Sequence, residues 1–321
     1  MANDSLTVTR GLTERIMQQV GRVIVGQDEV VMQCLVAVLA HGHVLLEGVP
    51  GTAKTLLVKT LARALGRDFG RVQMTPDLMP SDVIGTYVFD GGTGEFRLRK
   101  GPLFTSVLLA DEINRAPAKT QSALLEAMQE LQATIDGVTH PLDPGFTVFA
   151  TQNPVEFEGT YPLPEAQLDR FMLKVIVDYP APGAEDELLL RVHRGADPLR
   201  VQAEELRPCV TPEEVEQSRS EIAAVTAEEG VVTYVGDIVR ATRTSANLVL
   251  GCSPRAGVMT LKAAKTHAAM SGRDYLTPED VKAVACPVLR HRVLLRPEAD
   301  IEGLSADNII QAVLGETPVP R

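Results

Sequence analysis

Between the apolar run His43-Val44-Leu45-Leu46-Glu47 and the amphipathic run Leu56-Leu57-Val58-Lys59-Thr60-Leu61, the chain reads Gly48-Val49-Pro50-Gly51-Thr52-Ala53-Lys54-Thr55. That order approaches the phosphate-binding pattern G-x-x-x-x-G-K-[ST], with Ala53 where a second glycine is usual. At a strand-to-helix turn, backbone N–H groups of residues 50–55 would converge on a β-phosphate. Lys54 would reach the β- and γ-phosphates, and Thr55 would place its hydroxyl on Mg²⁺. Ala53 suits such a loop if its dihedrals are already helical, because only a positive φ demands glycine. The plain alternative is a glycine-rich turn carrying a chance lysine.

Four more stretches bear on that choice. The run Ser106-Val107-Leu108-Leu109-Ala110 ends in Asp111-Glu112. An apolar strand there belongs in a sheet centre, so its carboxylates emerge at the carboxyl end, where such sheets bind ligands. Asp111 would hold the Mg²⁺ shell, and Glu112 would polarise a water for attack on the γ-phosphate. A second strand ends Thr151-Gln152-Asn153-Pro154, and the Asn153 amide could orient that water. Arg170, in Leu168-Asp169-Arg170-Phe171, and Arg255, in Ser253-Pro254-Arg255, are the cations of interest. Taken singly, an Asp-Glu strand end, an Asn-Pro turn or a surface arginine is ordinary. Taken together they form a nucleotide site.

These residues need a frame. Residues 5–23 read as a helix opened by Ser5 or Thr13, and a second helix begins near Asp28 and ends near Gly42. Apolar strands at 43–48, 71–75, 106–112, 146–154 and 169–180 alternate with helices at 54–66 and 119–131. That alternation predicts a parallel α/β sheet sandwiched by helices over residues 1–187. Past Tyr179-Pro180-Ala181-Pro182-Gly183 the pattern is of helices alone, which predicts an all-helical domain over residues 188–321. Two of its helices start Thr-Pro-Glu, at 211 and 277, where threonine caps and proline takes the first turn.

Composition bounds the rest. The chain has 321 residues and a net charge of −11, without a lysine or arginine run, which argues against avid nucleic-acid binding. Cys34, Cys209, Cys252 and Cys286 form no C-x-x-C pair, which suits a reducing cytoplasm. His41 and His43 are read as strand-boundary residues in preference to metal ligands. The amino terminus has no secretory pattern, and the apolar stretch at 34–40 is too short to cross a bilayer. The expected location is cytoplasmic.

The whole constellation resembles the AAA+ ATPases and, within them, the MoxR family with its helix-2 insert. The resemblance spans nearly the whole chain, most specifically EGVPGTAKT, LLADEINRAPAKTQSALLEAMQE, FATQNPVEFEGTYPLPEAQLDRF and SPRAGVMTLKAAKTHA. It implies an ATP- and Mg²⁺-dependent hydrolase, with Lys54 and Thr55 as Walker A, Asp111 and Glu112 as Walker B, and Asn153 as sensor 1. Arg170 would be the arginine finger and Arg255 sensor 2. Val25, Gly26 and Gln27 match the segment near adenine. A finger works on a neighbouring subunit, so the resemblance implies a head-to-tail ring, a hexamer in the family. It also implies a von Willebrand factor A domain partner and a client protein. This chain carries no such domain, and is expected to be the motor.

Two hairpins complete the reading. Residues 87–101 form one about Gly91-Gly92, with Phe96 and Leu98 alternating with Arg97 and Arg99. Residues 133–142 form the other about Asp136-Gly137. By resemblance they are the helix-2 insert and the pre-sensor-1 hairpin, facing a pore or partner. The rivals to a client-remodelling ATPase are a nucleotide-gated module without turnover and a nucleic-acid motor. Glu112 and Arg170 disfavour the first; the charge and the absence of tryptophan disfavour the second.

Overall fold

The computed structural model describes residues 7–153, 161–195 and 206–320. Helices α1 (Thr7–Gly21) and α2 (Asp28–Leu39) precede β1 (Val44–Glu47), α3 (Lys54–Ala64) and β2 (Phe69–Gln73). Next come α4 (Pro80–Ile84), the hairpin β3 (Gly85–Asp90) and β4 (Glu95–Lys100), then β5 (Val107–Asp111) and α5 (Ala118–Glu130). The hairpin β6 (Gln132–Ile135) and β7 (Val138–Pro141) leads into β8 (Thr147–Gln152), α6 (Glu165–Leu168) and β9 (Leu173–Ile176). Helices α7 (Pro182–His193), α8 (Pro212–Ala224) and α9 (Glu229–Thr244) follow, then β10 (Leu248–Leu250). The remainder is α10 (Pro254–Met270), α11 (Pro278–Leu289), β11 (Leu294–Leu295), α12 (Pro297–Ile301) and α13 (Ala306–Glu316).

The sheet has the order β2-β5-β8-β1-β9, and every pairing in it is parallel. Period-two alternation divides its side chains between two layers. Val44, Leu46, Val107, Leu109 and Phe149 face a cluster shared with α1, α2, α3 and the carboxyl-terminal helices. Leu45, Leu108, Ala110, Val148 and Ala150 face a second cluster with α4 and α5. Each buried leucine or phenylalanine contributes about 2 kcal/mol of transfer free energy, so a strand apolar on both faces stays in the middle.

Local chemistry sets the ends. Thr211 caps α8 by accepting from the Glu214 amide at 3.2 Å, while Glu214 returns a bond to the Thr211 amide at 2.8 Å. At α11 the amide and the hydroxyl of Thr277 both donate to Asp280 Oδ2, at 3.0 and 2.8 Å. Thr13 does not open a helix: it lies within α1, its hydroxyl donating to the Thr9 carbonyl at 2.8 Å. Ser5 lies outside the described residues. The carboxyl-terminal region is helical except for the antiparallel β10–β11 pair. That ladder is a correction to helices alone; strands of two and three residues are too short to show alternation in sequence.

Both hairpins form as expected. Phe89 pairs with Phe96 and Tyr87 with Leu98 on one face, while Arg97 of the other face reaches Asp90 at 3.1 Å. Asp136 and Gly137 both have positive φ, 48° and 81°, as a two-residue type I′ turn requires.

His43 is structural. One ring nitrogen, Nε2, meets the Met128 carbonyl at 3.0 Å, and Nδ1 accepts from the Val148 amide at 3.0 Å, so the neutral ring bridges α5 and β8. Burial pushes its pKa from 6.5 down to about 4. Between those values the unfolded chain binds a proton that the folded chain refuses. Stability is therefore complete above pH 6.5 and falls as pH drops through this window, by about 3 kcal/mol for this residue. His291, fully buried and also pushed down, adds a further loss. Urea unfolding from pH 7.5 to pH 4 should show this slope, and His43→Gln should remove about one proton's share of it near pH 5.

Candidate active site

The parallel register brings the expected residues to one edge. Glu47 pairs with Gln152 across β1 and β8, and Leu109 and Ala110 of β5 pair with Phe149 and Ala150. The strands therefore finish together, and a cleft of ≈ 410 Å³ opens beyond them. Residues 50–56 form one wall of it, Asp111 and Glu112 the floor, and Thr151, Gln152 and Asn153 the other wall. Three of the sequence signals, the loop, the Asp111-Glu112 strand end and the Asn153 strand end, thus meet in one cleft.

The loop is built by close approach. A Cβ on Gly48 would lie 2.2 Å from the Val177 carbonyl oxygen, so only glycine lets the loop leave the sheet there. Gly51 has φ +87°. Ala53 departs from the sequence expectation: its φ is 59° and ψ 22°, left-handed and not helical. It turns the chain into α3 at a cost of about 1 kcal/mol, a cost glycine would largely avoid. Lys54 follows, its Nζ donating to the Gly48 and Val49 carbonyls at 2.9 and 2.8 Å. Burial lowers the Lys54 pKa, and the Asp111 and Glu112 carboxylates oppose that shift.

Four residues that sequence reasoning missed hold the acids in place. The Thr151 hydroxyl donates to Asp111 Oδ1 at 2.6 Å and accepts the Glu112 amide at 2.8 Å. Arg71 lies 2.7 Å from Asp111 Oδ2, and Gln73 donates to Glu112 Oε2 at 2.9 Å. Arg115 meets the same Glu112 oxygen at 3.0 Å. Glu112 itself has φ 56°, a second left-handed non-glycine residue in the cleft. Strain of this kind persists only where its surroundings over-determine it, and the contacts of Glu112 with Thr151, Gln73 and Arg115 do so. Arg71 and Gln73 could have been found from their alternation on β2, but only once its register against β5 was known.

Beside the cleft an apolar cavity of ≈ 490 Å³ lies between Val25, Gln27 and Leu56 on one side and Leu188, Leu189 and Val192 on the other. Gln27 is 8% exposed, its Nε2 donates to the Thr52 carbonyl at 3.4 Å, and its Oε1 has no partner. A buried acceptor at an apolar wall fits a flat heteroaromatic base that brings one N–H donor. Gly26 sits between Val25 and Gln27 at the mouth. The hydroxyl of Thr55 and the carboxylate of Asp111 are hard oxygen donors of the kind Mg²⁺ takes. The residues present therefore fit nucleotide and Mg²⁺.

Arg170 and Arg255 are not in the cleft. Arg170 follows α6 in the turn before β9, its amide bonded to the Gln167 carbonyl at 3.2 Å. Arg255 is exposed in the first turn of α10. Residues 154–160, between Asn153 and Tyr161, lie outside the described residues. Thr151→Val should expose the hydroxyl's role: equal in volume, it leaves the Glu112 amide and one Asp111 oxygen unpaired. A loss of about 1–3 kcal/mol in urea unfolding, with turnover reduced about tenfold or more, is the expected result.

Comparison with known proteins agrees with this geometry. The profile of the ATPase family associated with various cellular activities (AAA) matches residues 43–173, and that of the AAA lid domain matches residues 240–313. The chain is 45% identical over 326 residues to Chaperone MoxR1 of Mycobacterium tuberculosis, covering 96% of this chain and 82% of that one. It is 31% identical to Protein MoxR of Methylorubrum extorquens, covering 98% and 97%. The crystal structure of a candidate ATPase from Cytophaga hutchinsonii superposes with a TM-score of 0.90 at 43% identity, over 99% of this chain and 97% of that one. With relatives of that name matched nearly end to end, and with the AAA ATPase and AAA lid profiles matching in that order along the sequence, the chain belongs to the MoxR family of AAA+ ATPases.

Proposed function

We propose that this chain hydrolyses Mg·ATP at a site completed by a neighbouring copy, and uses the cycle to remodel or activate a client protein or metalloenzyme complex. The observation that carries the reading is the convergence of Lys54, Thr55, Asp111, Glu112 and Asn153 on one cleft. In it, Lys54 and the loop amides hold the β- and γ-phosphates, and Thr55 and Asp111 hold Mg²⁺. Mg²⁺ held there would neutralise charge on the β- and γ-phosphates. Glu112 accepts a proton from the attacking water, which Asn153 orients, and in-line attack releases phosphate from ADP.

Arg170 is assigned as the arginine finger because it lies outside its own chain's cleft, on the turn ahead of β9. Supplied by a neighbour, its guanidinium stabilises charge on the transferring phosphoryl group. Arg255 is assigned as the lid's sensor of nucleotide state, with the lid beginning at about residue 188. Head-to-tail contact of this kind closes into a ring when its rotation permits, and a hexamer is the form proposed. The exposed Phe89–Phe96 pair, rings 5.4 Å apart, gives the first hairpin an apolar tip for a client. A von Willebrand factor A domain protein is the proposed adaptor, in the cytoplasm, without nucleic acid or membrane insertion. Among the described residues no helix is long and apolar enough to cross a membrane.

Glu112→Gln should bind a fluorescent ATP analogue like the unaltered protein and lose turnover by about a hundredfold or more; turnover near the original rate would remove Glu112 from the chemistry. Lys54→Ala should be inactive alone, having lost nucleotide, whereas Arg170→Ala should bind ATP but hydrolyse it poorly, having lost the charge it supplies to its neighbour's transition state. Mixed, they should regain weak activity that rises with protein concentration, because some interfaces pair an intact loop with an intact finger. No recovery in rings shown by native mass spectrometry to be mixed would reject the shared site.

A further inference from the structure

Arg292, just after α11, is an interior cation: its side chain is 2% exposed. Its Nε lies 2.6 Å from Asp169 Oδ1. One terminal nitrogen donates to the Met172 carbonyl at 3.1 Å and to that of Val288, the other to the carbonyls of Asp169, at 3.2 Å, and Phe171. The neighbouring His291 reaches the Phe171 carbonyl through Nε2 at 3.0 Å. The guanidinium therefore grips residues 169, 171 and 172, on both sides of Arg170. On its outer side Asp169 Oδ2 meets the Ser253 hydroxyl at 3.5 Å, at the amino end of the helix that carries Arg255.

Helix α6, which delivers the turn, fully buries none of its four residues, though Leu168 packs on the second apolar cluster. After the turn the buried Phe171 and Met172 side chains and the Met172 amide, 2.8 Å from the His43 carbonyl, anchor the chain, and the Arg292 fork spans the residues on both sides of Arg170. An arginine is suited to this task because its planar fork carries five donors in fixed directions, where an ammonium is a single point. A displacement of about 1 Å in a group that serves the transition state costs on the order of a hundredfold in rate. A finger on a turn must be held.

We infer that Arg292 is a positioning residue for Arg170: from the lid it sets the turn that presents the finger to the neighbouring subunit, and through Asp169 and Ser253 it links that turn to the helix bearing Arg255. This rests on the reading of Arg170 as a finger acting in trans. The lid and the finger then move as one body, so a lid that responds to nucleotide in its own subunit changes what the next subunit receives.

Arg292→Lys keeps the charge and removes the fork. It should bind the fluorescent ATP analogue within about twofold of the unaltered protein, yet lose about tenfold in kcat. Mixing it with Lys54→Ala should restore activity, because the Lys54→Ala subunit brings an intact clamp and finger to the Arg292→Lys cleft. Added to Arg170→Ala, it should cost no more than about a further twofold, since a residue that acts only through Arg170 has nothing left to position. Losses that multiply in the double variant, affinity that falls with kcat, or no rescue where Arg170→Ala is rescued would each overturn the assignment and leave the finger standing. Unaltered turnover in Arg170→Ala, or its failure to be rescued in mixed rings, would reject the finger reading and this inference with it. If Arg292→Lys melts below the assay temperature, Asp169→Asn, which keeps the shape and removes the charge facing Nε, is read by the same three measurements.

Discussion

Three strands apolar on both faces, β5, β8 and β1, run parallel and in register, and their charged and amide side chains stand at their carboxyl ends. That single constraint aligns Glu47, Asp111 and Gln152 along one edge, beside the loop that leaves β1. A slip of one residue in β5 would turn Leu108 and Ala110 toward the wrong layer and carry Asp111 away from Lys54. The burial that fixes the register is thus the same burial that assembles the cleft. Stability and site geometry share one cause.

The cleft holds strain that the rest of the fold supports. Ala53 and Glu112 both stand in left-handed conformations, next to the lysine and at the acid that the proposed chemistry uses most directly. Thr151 pins the Glu112 amide, while Gln73 and Arg115 pin its carboxylate, so the acid is held by contacts from two strands and the turn after it. On the other side of the sheet's edge, Arg292 does comparable work for the turn carrying Arg170. In both places a long or strained segment is given its direction by side chains from elsewhere in the sequence. The lid helices share one continuous apolar cluster with α1, α2 and the sheet.

What the amino-acid sequence disclosed follows from how local each signal is. The phosphate loop was legible because a continuous apolar run gives way to a 3.6-residue period across residues 44–61, with glycine at the change. Asp111-Glu112 and Asn153 were legible because each ends an apolar strand, and the Thr-Pro-Glu caps because capping is decided within four residues. The left-handed geometry of Ala53 was not, since alanine gives no sign of it and only the path from Gly48 past Val177 imposes it. Arg71, Gln73 and Thr151 were not, because each acts across strands whose register has to be known first. Arg292 was further out of reach, meeting residues more than a hundred positions earlier in the chain. The β10–β11 pair was too short to announce itself.

The central claim is that hydrolysis belongs to an interface and not to a single chain. A structure of the assembled protein with Mg²⁺, ADP and aluminium fluoride tests it most directly, because the fluoride stands where the transferring phosphoryl group does. The account predicts the Arg170 guanidinium of one subunit about 3 Å from the fluoride in its neighbour's cleft, with that neighbour's own Lys54 and Glu112 on the remaining sides. A fluoride contacted by Arg170 of the same chain, or by no residue from a neighbouring subunit, would contradict it.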